Sequence, residues 1–103
     1  MAFTISAALL DAVVLAVVDQ QDSYGYKITQ DVRSVIDVSE STLYPILRRL
    51  LKAQQLESFD KEYDGRNRRY YRITKSGKEQ LLQYKSDWIE YRANIDKFLS
   101  QNR

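Results

Sequence analysis

The 103-residue chain has no cysteine and no histidine. Without cysteine there is no disulfide framework and no thiol chemistry. Without histidine there is no Ser-His-Asp triad and no imidazole metal site. Glycine occurs three times and never as a phosphate-cradling loop, and proline occurs once. No metal, cofactor or catalytic residue is therefore expected, and the chain does not read as an enzyme. Long apolar runs are also missing. The longest, residues 12–18, is far short of the roughly 20 needed to span a bilayer. The opening Met-Ala-Phe-Thr-Ile-Ser has no basic segment of the kind a signal peptide carries, so the expected location is the cytoplasm with no membrane partner.

A formal net charge of +2 looks featureless until it is divided along the chain. Residues 1–38 carry −3, residues 39–54 carry +2, residues 55–60 carry −2, residues 61–78 carry +5 and residues 79–103 balance to zero. Local sign steers association with a polyanion more than the total does.

Within the first positive segment, Leu43, Ile46, Leu47 and Leu50 fall on one side of a helix. The other side carries Ser41, Tyr44, Pro45, Arg48 and Lys52, groups suited to phosphates and base edges. Ser39 or Ser41 can cap the start. Pro45 lacks an N–H and suits a first turn, which predicts a start near Ser41 or Thr42. An ordinary amphipathic helix with a solvated face would show the same pattern. The segment after the helix separates the two. Asp64-Gly65 is a type I′ hairpin signal, flanked by Phe59 and Tyr63 before and Tyr71 and Ile73 after. Its exit, Gly65-Arg66-Asn67-Arg68-Arg69-Tyr70-Tyr71-Arg72, concentrates four arginines on an exposed turn, a phosphate-seeking arrangement. A helix followed by a basic hairpin is the sequence mark of a winged helix-turn-helix on double-stranded DNA. Asp60 to Gly65 imitates the first half of a calcium loop, but the position that needs a bidentate Glu holds Tyr71.

Upstream, residues 5–20 form the first helix expected, and residues 7–18 are apolar round a lone Asp11, which predicts a helix buried on two sides, one of them against a second subunit. Asp22-Ser23 can cap a second helix over residues 24–36, with Tyr26, Ile28 and Val32 and either Val35 or Ile36 inside. Downstream, Ser76 with Glu79 makes a capping box for a helix reaching about residue 99, about 35 Å long. Leu81, Tyr84, Trp88, Tyr91, Ile95 and Phe98 repeat at 3, 4, 3, 4 and 3, an unbroken heptad seam. A long helix with one apolar stripe needs a partner, and a second copy is the economical one. Rings meeting across a dimer axis can leave a gap for a planar ligand. The fold expected is mainly α with a small β-hairpin: a winged helix-turn-helix over residues 1–75 and a C-terminal dimerisation helix over residues 76–103, as one structural unit.

Tyr24-Gly25-Tyr26-Lys27-Ile28, Ser41 to Leu50, and Gly65 to Gly77 together resemble the PadR family of bacterial transcriptional regulators, in its order and spacing, from about residue 7 onward. The short branch, with a single C-terminal helix, is the nearer match. The resemblance implies a homodimeric, sequence-specific repressor relieved by a planar aromatic or phenolic effector. It implies DNA contacts from Tyr24, Lys27, Ser39, Ser41, Thr42, Tyr44, Pro45, Arg48, Arg49, Arg66, Asn67, Arg68 and Arg69. Trp88 matches the position beside which short members hold planar ligands. One departure is Gln55, where the family usually has a Gly ahead of the first wing strand. The rival reading is a winged helix used as a protein-interaction adaptor, which would not need the +5 segment.

Overall fold

In the computed structural model, which describes residues 2–100, the chain forms four helices and three strands. These are α1 (Ala7–Gln20), β1 (Ser23–Tyr24), α2 (Gly25–Arg33), α3 (Glu40–Lys52), β2 (Leu56–Tyr63), β3 (Arg66–Ile73) and α4 (Lys75–Leu99). The strands make one antiparallel sheet in the order β1-β3-β2. The expected hairpin is thus a three-stranded sheet. Ser23 and Tyr24, expected to cap and open a helix, instead pair with Tyr71 and Tyr70. The cap of α2 is Tyr24, whose side chain makes no capping hydrogen bond.

One apolar core gathers the inner faces. Leu10, Val14, Leu15 and Val18 of α1 meet Ile28 and Val32 of α2, Leu43, Ile46, Leu47 and Leu50 of α3, Leu56 and Ile73 of the wing, and Leu81 of α4. The α3 quartet is the one its helical spacing predicts. The α2 face differs from expectation. Tyr26 and Val35 are exposed, and Thr29 is buried instead, its Oγ1 donating to the Gly25 carbonyl at 2.8 Å. A hydroxyl satisfied by its own helix can occupy a core position at little cost.

Helix α3 begins at Glu40, with Ser39 as its cap accepting from the Thr42 amide at 3.3 Å. Pro45 therefore lies one turn deeper than its chemistry suggests. Its exposed position lets the freed Ser41 carbonyl reach water, so the helix continues past it. At the other end, Gln55 donates to the Leu50 carbonyl and Gln54 to the Leu51 carbonyl, both at 3.0 Å. This is a Schellman closure, and it puts Gln54, not Gln55, in the left-handed region at φ 61°. The departure at Gln55 thus carries no backbone strain.

The hairpin turn is as expected. Asp64 and Gly65 have φ of 54° and 79°, and Tyr63 pairs directly with Arg66 across a two-residue type I′ loop. Helix α4 is capped by Thr74, which accepts from the Gly77 amide at 3.0 Å, so the Ser76–Glu79 box is not the start. Thr74 also donates from Oγ1 to the Gln54 carbonyl at 2.7 Å and from its backbone to the Gln55 carbonyl at 3.1 Å. Gly77 sits so close beneath that a Cβ there would lie 2.1 Å from the Gln55 oxygen. Only glycine lets α4 start at this spot.

Candidate nucleic-acid interface

The capping of α3 by Ser39 leaves a polar face outward. Ser41 Oγ and Thr42 Oγ1 each lie 2.9 Å from Ser39 Oγ, a small hydroxyl cluster at the helix N-terminus. Ser41, Thr42, Pro45 and Arg48 are exposed, and Tyr44 is 40% exposed. The Tyr44 ring packs on Gly25, where its Cε1 would be 3.4 Å from an added Cβ. The hydroxyls and backbone N–H groups at this end suit phosphate oxygens.

Adjacent arginines on α3 have opposite fates. Arg48 is exposed, with no acidic partner among the described residues. Arg49 turns inward, and its two terminal nitrogens donate to the Asp11 carboxylate at 2.7 and 2.6 Å. This bidentate pair fixes α3 to α1 and raises the Arg49 pKa, first through the hydrogen bond to Asp11. Two of its donors are therefore engaged in holding the fold, while the Arg49 side chain stays 52% exposed. The sequence held the clue, because an Asp flanked on both sides by apolar residues of a buried helix needs a cation. Lys27, another expected contact, lies 3.2 Å from Asp31 in an i,i+4 pair that water screens.

The sheet has two differently covered faces, set by the register. Leu56, Ser58, Tyr71 and Ile73 share the core face, whereas Phe59, Tyr70, Lys61, Arg68, Tyr63 and Tyr24 share the other. On this outer face Tyr70 is buried beneath Tyr24 and Phe59, with ring centroids 5.5 and 5.7 Å away. Cations interleave with the rings. Arg68 lies 4.2 Å from the Tyr24 ring and 4.3 Å from Tyr63, Arg72 lies 4.4 Å from Phe59, and Lys61 lies 5.3 Å from Tyr70. Tyr24 is thus a packing residue of the sheet. Tyr63, beside the turn, is 53% exposed. Arg66, Asn67 and Arg69 are exposed around the turn, while Arg68 is half-buried by the rings.

The helix seam divides at Tyr84. Leu81 is buried and Tyr84 half-buried against α1, and burial raises the Tyr84 pKa. Beyond it Trp88, Tyr91, Ile95 and Phe98 are 41, 60, 42 and 79% exposed. Trp88, Tyr91 and Ile95 join Ile5, Leu9, Ala12, Val13 and Ala16 in lining a groove of about 860 Å³ between the N-terminal segment, α1 and α4. Among the described residues no cluster could hold a metal, and no helix is long and apolar enough to cross a membrane.

Three helices, a basic wing and a polar outward face on α3 define a winged-helix DNA-binding protein. Residues 14–83 match the transcriptional regulator PadR-like family. A Streptococcus mutans crystal structure is 40% identical, with a TM-score of 0.90 over 97% of this chain and 94% of its own. A PadR-like transcriptional regulator from Bacillus cereus is 30% identical, with a TM-score of 0.83 over 91% of this chain and 94% of its own. An uncharacterised protein from Lysinibacillus sphaericus is 35% identical over 95 residues, 87% of each chain. The chain belongs to the PadR-like family: it is a DNA-binding transcriptional regulator and not an enzyme.

Proposed function

We propose that the protein is a homodimeric repressor that binds a palindromic operator and releases it when a planar aromatic or phenolic ligand occupies the α1/α4 groove. The observation that carries this reading is the segregation of two surfaces. Arg48 on the polar face of α3 and Arg66, Arg68 and Arg69 on the wing carry positive charge without an acidic partner among the described residues, while α4 exposes an aromatic seam that water disfavours. Residues 2–75 supply the DNA-binding half, and α4 the pairing helix; residues 1 and 101–103 of the expected halves lie outside the described residues. Ser41, Thr42, Tyr44, Pro45 and Arg48 face the major groove, with Ser39 holding their helix start, and Arg66, Asn67, Arg68 and Arg69 follow the adjacent backbone. Two copies of α3 about 34 Å apart then read half-sites one turn apart. A ligand weakens this only by preferring a dimer shape with a different spacing.

The test is fluorescence anisotropy on a labelled duplex from directly upstream of the protein's own gene, with excess mixed-sequence competitor, at several salt concentrations. Competitor-resistant, salt-sensitive binding at one dimer per site is expected. Binding abolished by competitor would replace the reading with general DNA affinity. Titration with flavins and planar dyes is expected to quench Trp88, and no quenching across the panel would remove the ligand from the mechanism.

A further inference from the structure

Two arginines of β3 stack on rings of the same sheet, yet their edges meet different surroundings. The Arg72 guanidinium lies on Phe59, and its in-plane donors point at carboxylates: Asp22 at 3.2 Å and Glu57 at 3.7 Å. The Arg68 guanidinium lies between two rings, Tyr24 at 4.2 Å and Tyr63 at 4.3 Å. No carboxylate lies within ion-pair distance of it among the described residues. Asp60 and Glu62, its acidic neighbours on β2, belong to the opposite sheet face by register. The residue directly across from Arg68 is Lys61, a second cation. Stacking uses the two faces of a guanidinium and leaves its N–H edge for an anion. At Arg72 the chain fills that edge itself. At Arg68 it leaves the edge open, two residues from the wing's turn.

We propose that Tyr24 and Tyr63 are positioning residues that clamp Arg68 edge-on, and that the edge takes a backbone phosphate of the DNA. Arg68 is then the wing's preorganised phosphate contact. Arg66 and Arg69, with no stacking or acidic partner among the described residues, add charge without fixed geometry. The clamp removes most of the rotamer freedom that a long side chain otherwise loses on binding. This rests on the DNA-binding reading above and adds which arginine is aimed and what aims it.

The experiment is a double-mutant cycle on DNA affinity. It uses the upstream duplex and a mixed-sequence duplex of equal length, over a range of salt. Tyr63 is the ring to change, because it is exposed while Tyr24 holds the sheet together. Arg68→Ala is expected to weaken both duplexes alike and to flatten the salt slope by about one per protomer bound. Tyr63→Ala is expected to weaken binding roughly fivefold at an unchanged salt slope, because the charge stays and only its aim is lost. Tyr63→Phe, which keeps the ring, is expected to bind as wild type. In the Arg68→Ala background, Tyr63→Ala is expected to cost nothing further, which a merely structural role for Tyr63 would not produce. Equal losses from Tyr63→Ala in both backgrounds, or an unchanged slope for Arg68→Ala, would overturn the proposal. Failure of the wild-type protein to bind either duplex would instead overturn the DNA-binding reading itself, and it is seen before any variant is compared.

Discussion

The α3 and wing surface and the α1 and α4 surface solve opposite problems with one chain. On the first, the apolar quartet of α3's inner face is buried, and the outer face carries hydroxyls and cations. On the second, the seam goes inside only at Leu81 and Tyr84, then emerges as Trp88, Tyr91, Ile95 and Phe98. The first region is therefore complete as a fold within one chain, and its open valences are polar. The far end of α4 is complete only as a helix, and its open valences are apolar. A family resemblance can be carried by the first region alone, whereas the second decides what assembles.

Four variants would break or sharpen that contrast. Trp88→Glu combined with Ile95→Glu places two charges in the exposed seam. Self-association is expected to fall by more than about a thousandfold, equivalent to about 4 kcal/mol, in sedimentation equilibrium, with the helical circular dichroism retained. Gly77→Ala drives a Cβ into the Gln55 carbonyl at the joint between the two regions. A loss of about 3 kcal/mol in urea unfolding is expected, since the obstacle is backbone and cannot rotate away. Asp11→Ala releases Arg49 and leaves a gap beneath α3. The expected cost is about 2 kcal/mol, less than for a fully buried pair because the Arg49 side chain is 52% exposed and can turn to water.

Tyr84→Phe probes the seam's inner end and carries the smallest effect. The folded protein holds the Tyr84 hydroxyl above its ordinary value of 10.0, first because burial disfavours the phenolate and then because Asp11 lies nearby. A raised folded value gives stability that is whole below pH 10 and lost as pH climbs through the folded value. The wild-type protein is therefore expected to lose stability above pH 10 more steeply than Tyr84→Phe. Denaturant titrations at paired pH values read the difference.

What the sequence made legible was local. The α3 core quartet and the Asp64-Gly65 turn depend on neighbours within a turn or two, and each forms as its residues predict, while the cap fell to Ser39, the earlier of the two serines offered. What it hid was long-range. The strand at Ser23–Tyr24 is two residues long and exists only because β3 offers Tyr70 and Tyr71 to pair with. The Asp11–Arg49 pair joins residues 38 apart in sequence, so Arg49 reads like Arg48 until the chain is folded. Alternation in β3 is masked because both faces are covered, Tyr71 by the core and Tyr70 by Tyr24 and Phe59. The end of α3 is set by backbone hydrogen bonds that Gln55 and Gln54 donate to Leu50 and Leu51, with Gln54 in the left-handed region where glycine is the usual residue.

The hydrogen bonds from Thr74 to Gln54 and Gln55, with Gly77 wedged beneath, make a fulcrum where the end of α3 meets the start of α4. Helix α4 runs 25 residues outward from that point. A lateral shift of roughly 3 Å at the tip of a lever about 37 Å long turns it by about 5°. Because the fulcrum is tied to the end of α3 largely through backbone atoms, torque on the lever bears on α3 with little slack. A lean of α4 is thereby geared down into a small, firm rotation of α3.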